Sequence, residues 1–129
     1  MKHNFKNLNI WRLSIDLAND VYILTDLFPK SEEFGLKSQM RRCSVSVASN
    51  IAEGSSRSSN KDFNRFLEIS LGSLYELQTQ IIIYSNRNYV EPSKLEIIEN
   101  KIKELQRMIS GFQKTLSFKS FFFSLYSLI

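Results

Sequence analysis

Residues 36–80 of this chain read LKSQMRRCSVSVASNIAEGSSRSSNKDFNRFLEISLGSLYELQTQ. Apolar side chains recur in this stretch at steps of three and four, the spacing that places them on one face of an α-helix. Gly54 and the serines after it interrupt the pattern once. The stretch therefore predicts two long antiparallel helices joined by a tight turn. The periodic positions are Leu36, Met40, Cys43, Val47 and Ile51 in the first helix and Phe63, Leu67, Ser70, Leu74, Leu77, Ile81 and Tyr84 in the second.

The sequences on either side of this hairpin predict one further helix each. Residues 8–28 carry two adjacent apolar stripes and end before Pro29, while apolar residues follow a capping box formed by Ser93 and Glu96. Four wide apolar faces with short connections indicate an all-α fold, an antiparallel up-down-up-down four-helix bundle. A start of the second helix nearer Ser38 is the alternative to a start at residue 36. The helices are expected near residues 8–28, 36–53, 60–86 and 93–116.

The last residues, 117–129, differ from the bundle that is assigned to residues 1–116. Their sequence is SFKSFFFSLYSLI, in which the serines would lie along one edge of a helix and all other residues except Lys119 are apolar. One interpretation is a helix extension that covers an exposed end of the bundle. The other is an interaction segment that would aggregate if it were left free.

Composition limits the cellular setting. The chain has 129 residues, enough for one domain, and only four glycines and two prolines, which argues against a fold of many strands and turns. Its single cysteine, Cys43, excludes an intrachain disulfide and fits a reducing compartment. The first residues lack the apolar run of a signal peptide, and no stretch approaches the roughly 20 apolar residues of a membrane span. These features predict a cytoplasmic protein that does not contact a membrane.

Residue types that support catalysis are scarce. His3 is the only histidine, and it lies in a terminus expected to be mobile, so a Ser–His or Cys–His pair has no base. The sequence contains no Cys/His cluster with zinc-ligand spacing and no glycine-rich phosphate loop. Glu68 and Glu76 lie two helical turns apart, where ion pairing is the preferred interpretation over a metal site. The sequence therefore predicts a protein that is not an enzyme and that uses no cofactor or metal.

The excess of positive charge lies in the central hairpin. The net charge is +4, and residues 37–65 hold six cations against two carboxylates. A basic patch of this kind suits a polyanion. The only aromatic residue among these cations is Phe63, which belongs to the predicted core stripe, so base stacking is expected to contribute little. Pairing of Arg42 and Arg65 with glutamates is an equally weighted alternative to phosphate binding, the glutamates being Glu53, Glu68 and Glu76. The candidate nucleic-acid-binding residues are Lys37, Arg41, Arg42, Arg57, Lys61 and Arg65.

The same stretch resembles the bacterial four-helix-bundle proteins encoded by 23S rRNA intervening sequences. The resemblance rests on NIAEG at residues 50–54, with RR at 41–42 before it and GSL at 72–74 after it, and it extends over nearly the whole chain. It implies a ring-like homo-oligomer, a pentamer, and an association with RNA or DNA. The family is also related to accessory proteins of diversity-generating retroelements, which implies a protein partner such as a reverse transcriptase.

Two function classes follow from the charge pattern and the resemblance together. The first is an oligomeric bundle that binds RNA or DNA through the basic helical hairpin. The second is a protein-interaction scaffold that does not itself contact nucleic acid. Support for oligomerisation from the residues alone is limited to a stripe of small side chains on the second helix, to Gly72 and to the breadth of the first apolar face. The small side chains are those of Ser44, Ala48 and Ala52.

Overall fold

The computed structural model describes the backbone of residues 3–127 and the side chains of residues 3–117. All regular structure in that part of the chain is helical, and no strand occurs between residues 3 and 127. Short 3-10 turns precede the first and second helices, at Phe5–Asn7 and Lys30–Glu32. The helices are α1 at Asn9–Thr25, α2 at Leu36–Ser55, α3 at Asn60–Ser85 and α4 at Pro92–Ser127.

The order of contacts defines the topology. Each helix packs against the next one in the chain and α1 packs against α4, whereas the diagonal pairs have no Cα atoms within 8 Å of each other in the described residues. Arg41 near the start of α2 binds Asp26 just after the end of α1, and His3 ahead of α1 donates to Ser55 at the end of α2, so these helices are antiparallel. The Ser70 hydroxyl of α3 donates to the Val47 carbonyl of α2 at 2.8 Å. The contacts of α4 with α3 and with α1 fit the same antiparallel arrangement. The predicted up-down-up-down four-helix bundle is confirmed.

One apolar cluster fills the space between the four helices. Helices α2, α3 and α4 contribute the buried stripes that their three-and-four spacing predicted, whereas α1 buries only part of its two predicted stripes, with Tyr22 and Leu13 exposed. Phe28 and Tyr84 stack at one end of the bundle with ring centroids 3.8 Å apart. Phe63 and Phe112 meet at the other end with centroids 5.5 Å apart. The fully buried core side chains include Leu17, Val21, Met40, Val47, Ile51, Leu67, Leu74, Leu77, Ile102, Leu105 and Ile109.

The residues before α1 are packed against this second end. The His3 backbone N–H donates to the Ser55 carbonyl at 3.1 Å, and the His3 ring centroid lies 5.1 Å from that of Phe63. The expectation of a mobile terminus around His3 is therefore wrong, because these contacts hold it on the bundle end.

Helices α2 and α3 approach each other through small polar side chains. The Cys43 thiol donates to the Ser73 carbonyl at 2.9 Å, and the hydroxyls of Ser46 and Ser73 lie 3.0 Å apart. Side chains of this size leave the two backbones close together, which makes this the most extensive helix pair in the bundle. Ser44 and Ala48 are likewise buried within the single chain. Their burial needs no second subunit, so the small stripe does not argue for one.

Gly54 and Gly72 have roles that differ from those expected. Gly54 lies inside α2 and has no positive φ, so it does not break the helix. A Cβ atom placed on Gly54 would lie 2.7 Å from the Cβ of Phe66 and 2.9 Å from Cδ1 of Phe63. A Cβ atom placed on Gly72 would have no neighbour within 4 Å in the described chain. Close packing therefore requires glycine at Gly54, whereas Gly72 faces outward.

The fourth helix extends well beyond its expected end at residue 116. Its backbone stays helical to Ser127, whereas the bounds of the other three helices differ from the expected ones by at most three residues. The side chains of residues 118–129 lie outside the described part of the structure. Whether the tail covers the bundle end or contacts a partner therefore stays a prediction.

Candidate nucleic-acid interface

The six candidate cations form two separate groups in the hairpin. Val47 of α2 lies opposite Ser70 of α3, so with a rise of 1.5 Å per residue Arg42 is separated from Lys61 and Arg65 by about 15–20 Å along the bundle axis. The hairpin therefore presents two basic regions rather than one continuous patch. The connection group, next to the α1–α2 connection, is Lys37, Arg41 and Arg42, and the turn group, next to the α2–α3 turn, is Arg57, Lys61 and Arg65.

Arg41 is held by the end of α1. Its Nε donates to Oγ1 of Thr25 at 2.8 Å, and its Nη2 donates to the Tyr22 carbonyl at 3.1 Å and to Oδ1 of Asp26 at 2.7 Å. Its guanidinium carbon also lies 4.4 Å from the centroid of the Tyr22 ring. A cation that binds the last carbonyls of a helix also interacts favourably with the helix dipole. Arg41 therefore joins α1 to α2, and its Nε and Nη2 donors are already engaged.

Lys37 and Arg57 each pair with a glutamate one helical turn earlier. Lys37 Nζ lies 2.9 Å from Oε2 of Glu33, and Arg57 Nη2 lies 3.0 Å from Oε1 of Glu53. The Arg57 guanidinium also lies over the ring of Phe66, 4.6 Å from its centroid. Surface ion pairs contribute at most about 1 kcal/mol, so a phosphate can replace the glutamate at little cost beside Arg57, and less readily beside Lys37, whose side chain is only 16% exposed.

Arg42, Lys61 and Arg65 form no ion pair with any residue that the structure describes. Arg42 donates only to the Ser38 hydroxyl, at 3.3 Å. Within the described residues of one chain, neither Arg42 nor Arg65 pairs with Glu53, Glu68 or Glu76; Glu53 binds Arg57 and Glu68 accepts from Gln113. Three of the six predicted cations are thus available to a ligand.

The position of Lys61 and Arg65 gives them no role in stabilising the fold. Both are exposed in the first two turns of α3. That helix is capped by Ser59, whose hydroxyl accepts the N–H of Asp62 at 3.1 Å. The N-terminal end of a helix carries partial positive charge, so a cation there is electrostatically unfavourable.

An aromatic surface lies beside the connection group, and sequence reasoning missed it. Tyr22 and Phe34 line an open groove of about 480 Å³ together with Lys37 and Arg42. Aromatic side chains therefore lie beside the connection group in space, although none lies between its cations in the sequence. The available signal was Phe34 itself, an isolated aromatic in the polar turn that reads SEEFGLK.

A second, polar groove of about 500 Å³ follows the contact between α2 and α3. Arg42 and Glu76 face it from the two helices, together with the buried Cys43. Burial, and secondarily the charge of Glu76, raises the pKa of the Cys43 thiol from its ordinary 9.0 to about 12. The thiol is therefore protonated at neutral pH and acts as a small packed donor rather than a nucleophile.

The raised pKa of Cys43 predicts a loss of stability in alkali. The unfolded chain releases its thiol proton near pH 9 while the folded chain keeps it to about pH 12. Ionisation thus favours unfolding between these values, and the thiol's contribution falls by up to about 1.4 kcal/mol per pH unit. Urea unfolding at pH 8, 9 and 10 should show a steeper decline for the parent than for Cys43→Ala. Parallel declines would contradict the assignment.

This helical architecture also occurs in a known protein family. Residues 6–111 match the family model described as 23S rRNA-intervening sequence protein. The chain belongs to this family. A solved structure of a protein of unknown function from the S23 ribosomal protein family of Bacteroides thetaiotaomicron is 23% identical to it, with a TM-score of 0.76. The likeness covers 81% of this chain and 98% of that one, and it shows a shared fold. No curated protein matches the chain.

The region shared with other 23S rRNA-intervening sequence proteins includes both basic groups. It begins at Lys6, ahead of α1, and ends at Gly111 within α4, so the apolar tail lies beyond it. Within the described residues of this 23S rRNA-intervening sequence protein, no group of three or more His, Cys, Asp or Glu side chains could hold a metal ion. None of its described helices has the length and apolar character needed to cross a membrane.

Proposed function

We propose that this 23S rRNA-intervening sequence protein is a cytoplasmic RNA- or DNA-binding protein that contacts backbone phosphates and acts by binding rather than by catalysis. The observation that carries the proposal is the pair Lys61 and Arg65, exposed one helical turn apart without a carboxylate partner in the described chain. Lys61 lies in the first turn of α3, where a cation opposes the helix dipole, and Arg65 in the second turn balances no carboxylate of the described chain. Their placement is explained by a polyanionic ligand better than by the needs of the fold.

The turn group extends this pair to three cations. Arg57 lies beside the pair, and its exposed contact with Glu53 contributes little, so a phosphate can take the place of that carboxylate. Binding through phosphates releases counterions, which makes the affinity fall steeply with salt and depend weakly on sequence. Arg42 of the connection group adds a further cation about 15–20 Å away along the bundle axis.

The proposed assembly is a homo-oligomer, with a pentamer as the stoichiometry that the family resemblance implies. The outward face of α3 supports it, because Ile69 and Ile83 are exposed on one helical stripe with Gly72 between them. A ring would repeat the turn group once per subunit, so modest contacts would add by avidity on a long polyanion.

A second candidate function is a scaffold that binds a protein, such as a reverse transcriptase, without touching nucleic acid. The observation in its favour is the set of large apolar side chains exposed on the surface, which a protein partner could cover. On α3 and α4 these side chains are Ile69, Tyr75, Ile82, Ile83 and Ile97.

Charge reversal in the turn group tests the first proposal. We expect the double variant Lys61→Glu, Arg65→Glu to bind a labelled RNA duplex at least about tenfold more weakly than the parent at low salt. Loss of two phosphate contacts should also make the log–log salt slope shallower by about 1.8. Fluorescence anisotropy at several salt concentrations measures both quantities. Because Lys61→Glu places a favourable charge near the start of α3, the variant should remain as stable as the parent.

The matched control is Arg87→Glu, Lys94→Glu. These two residues are also exposed and form no ion pair in the described chain, but they lie at the α3–α4 connection, at the opposite end of the bundle. The control changes the net charge equally and should retain most of the affinity. Equal weakening by both double variants would show that net charge, rather than the turn group, binds the duplex. Absence of binding by the parent at low salt would favour the scaffold.

A further inference from the structure

Phe34 is the most exposed large apolar side chain in the described chain, at 96%. It lies in the turn between the 3-10 segment Lys30–Glu32 and α2, next to the connection group. Isolated exposed aliphatic side chains are common, but a fully exposed phenyl ring beside cations has the composition of a stacking platform for nucleic-acid bases. Because the ring packs on almost nothing, a ligand can cover one of its faces without displacing a contact within the protein.

The groove beside Phe34 combines aromatic surface with cations. It has a volume of about 480 Å³, and Tyr22 and Val45 line it with exposed fractions of 40% and 43%. Arg41 lies over the Tyr22 ring and is fixed by its hydrogen bonds to the end of α1, so this wall of the groove is held in place. Arg42 completes the groove with a guanidinium that has no carboxylate partner in the described chain.

We propose that this groove binds an unpaired base of single-stranded RNA or DNA. The base stacks on the Phe34 ring, and Arg42 contacts a neighbouring phosphate. Lys37 can contact a second phosphate by exchanging its partner Glu33, whose half-exposed carboxylate has Oε2 2.9 Å from Nζ. The inference rests on the proposed nucleic-acid binding and adds to it a preference for single strands at a site distinct from the turn group.

The charge of the groove favours this occupant over a protein segment or a second copy of the chain. Its lining contains three cations and one carboxylate, Glu33, which suits a polyanion. Bases inside a duplex cannot supply the stacking contact, because both of their faces are already stacked on neighbouring bases. The groove should therefore distinguish the two forms of the same sequence, whereas the turn group binds the phosphates of both.

Replacing Phe34 tests the inference with two probes, a short single-stranded RNA and the same strand annealed to its complement. Anisotropy should show that Phe34→Ala lowers affinity for the single strand by about fivefold or more and leaves affinity for the duplex unchanged. Phe34→Tyr should bind both probes as the parent does. Ile97→Ala is the matched control, since Ile97 is 59% exposed on α4 and does not line the groove. It should change neither affinity.

Each alternative outcome overturns the inference. If Phe34→Ala binds the single strand as tightly as the parent, or loses both probes equally, no unpaired base stacks on Phe34. If light scattering shows that Phe34→Ala changes the oligomeric mass, the side chain is a contact between copies. In each of these cases the turn-group variant still decides the proposed function. If the parent binds neither probe at low salt, both proposals are wrong.

Discussion

Gly54→Ala is expected to lower the free energy of unfolding by about 1–3 kcal/mol, although alanine is the better helix former. The added methyl group would lie 2.7 Å from the Cβ of Phe66 and 2.9 Å from Cδ1 of Phe63. A Cβ atom is fixed to its backbone, so Phe66 can yield only if α3 moves away from α2. Overpacking of this kind exceeds the gain in helix propensity, which is at most about 1 kcal/mol. Urea unfolding at one protein concentration measures the loss.

Gly72→Ala is the matched control, and it should change the free energy of unfolding in the opposite direction. Gly72 is also inside a helix, but a Cβ atom there meets nothing within 4 Å in the described chain. The substitution should therefore raise the free energy of unfolding by about 0.5–1 kcal/mol through helix propensity alone. If Gly54→Ala were as stabilising as Gly72→Ala, the close approach of α2 and α3 would be wrong. A destabilising Gly72→Ala would instead place that face of α3 in a contact between subunits.

This pair of glycines shows how far sequence could predict the fold. The three-and-four spacing predicts the number of helices, the bounds of three of them and the order in which they pack. One buried stripe per segment leaves few other ways to arrange four helices around a core. It could not identify the side chain opposite each glycine. The serines that follow Gly54 favour a helix breaker, whereas the close packing of Phe63 and Phe66 requires glycine there within the helix.

The candidate site was predictable only where its contacts are local in sequence. The spacing of Glu33 and Lys37, like that of Glu53 and Arg57, is the i,i+4 pattern of helical ion pairs, so both pairs could have been read from the chain. The contact of Arg41 with Asp26 spans 15 residues and depends on how α1 packs on α2. No periodicity in the sequence encodes such a contact. The sequence therefore shows how many cations the hairpin carries, but it does not show which of them are available to a ligand.

Two substitutions of Tyr84, at the end of the bundle next to the α3–α4 connection, should have opposite effects on stability. Tyr84 is fully buried and stacks on Phe28, with ring centroids 3.8 Å apart, but its hydroxyl has no hydrogen-bond partner in the described chain. Burial, with a smaller effect from Tyr89, raises the pKa of that hydroxyl. The ring therefore stabilises the bundle end, whereas the hydroxyl loses its hydrogen bonds to water on folding and gains none within the described chain.

Tyr84→Ala should consequently lower the free energy of unfolding by about 3–5 kcal/mol, because it removes a buried ring and leaves a cavity. Tyr84→Phe should raise it by about 1 kcal/mol, since the stacked ring stays and the unsatisfied hydroxyl is removed. Tyr75→Phe is the control for the chemical change itself, because Tyr75 is exposed and its hydroxyl is solvated in both states, so no change is expected. Urea unfolding of the three variants beside the parent gives all the comparisons. A loss of stability in Tyr84→Phe would mean that the hydroxyl is hydrogen-bonded in solution.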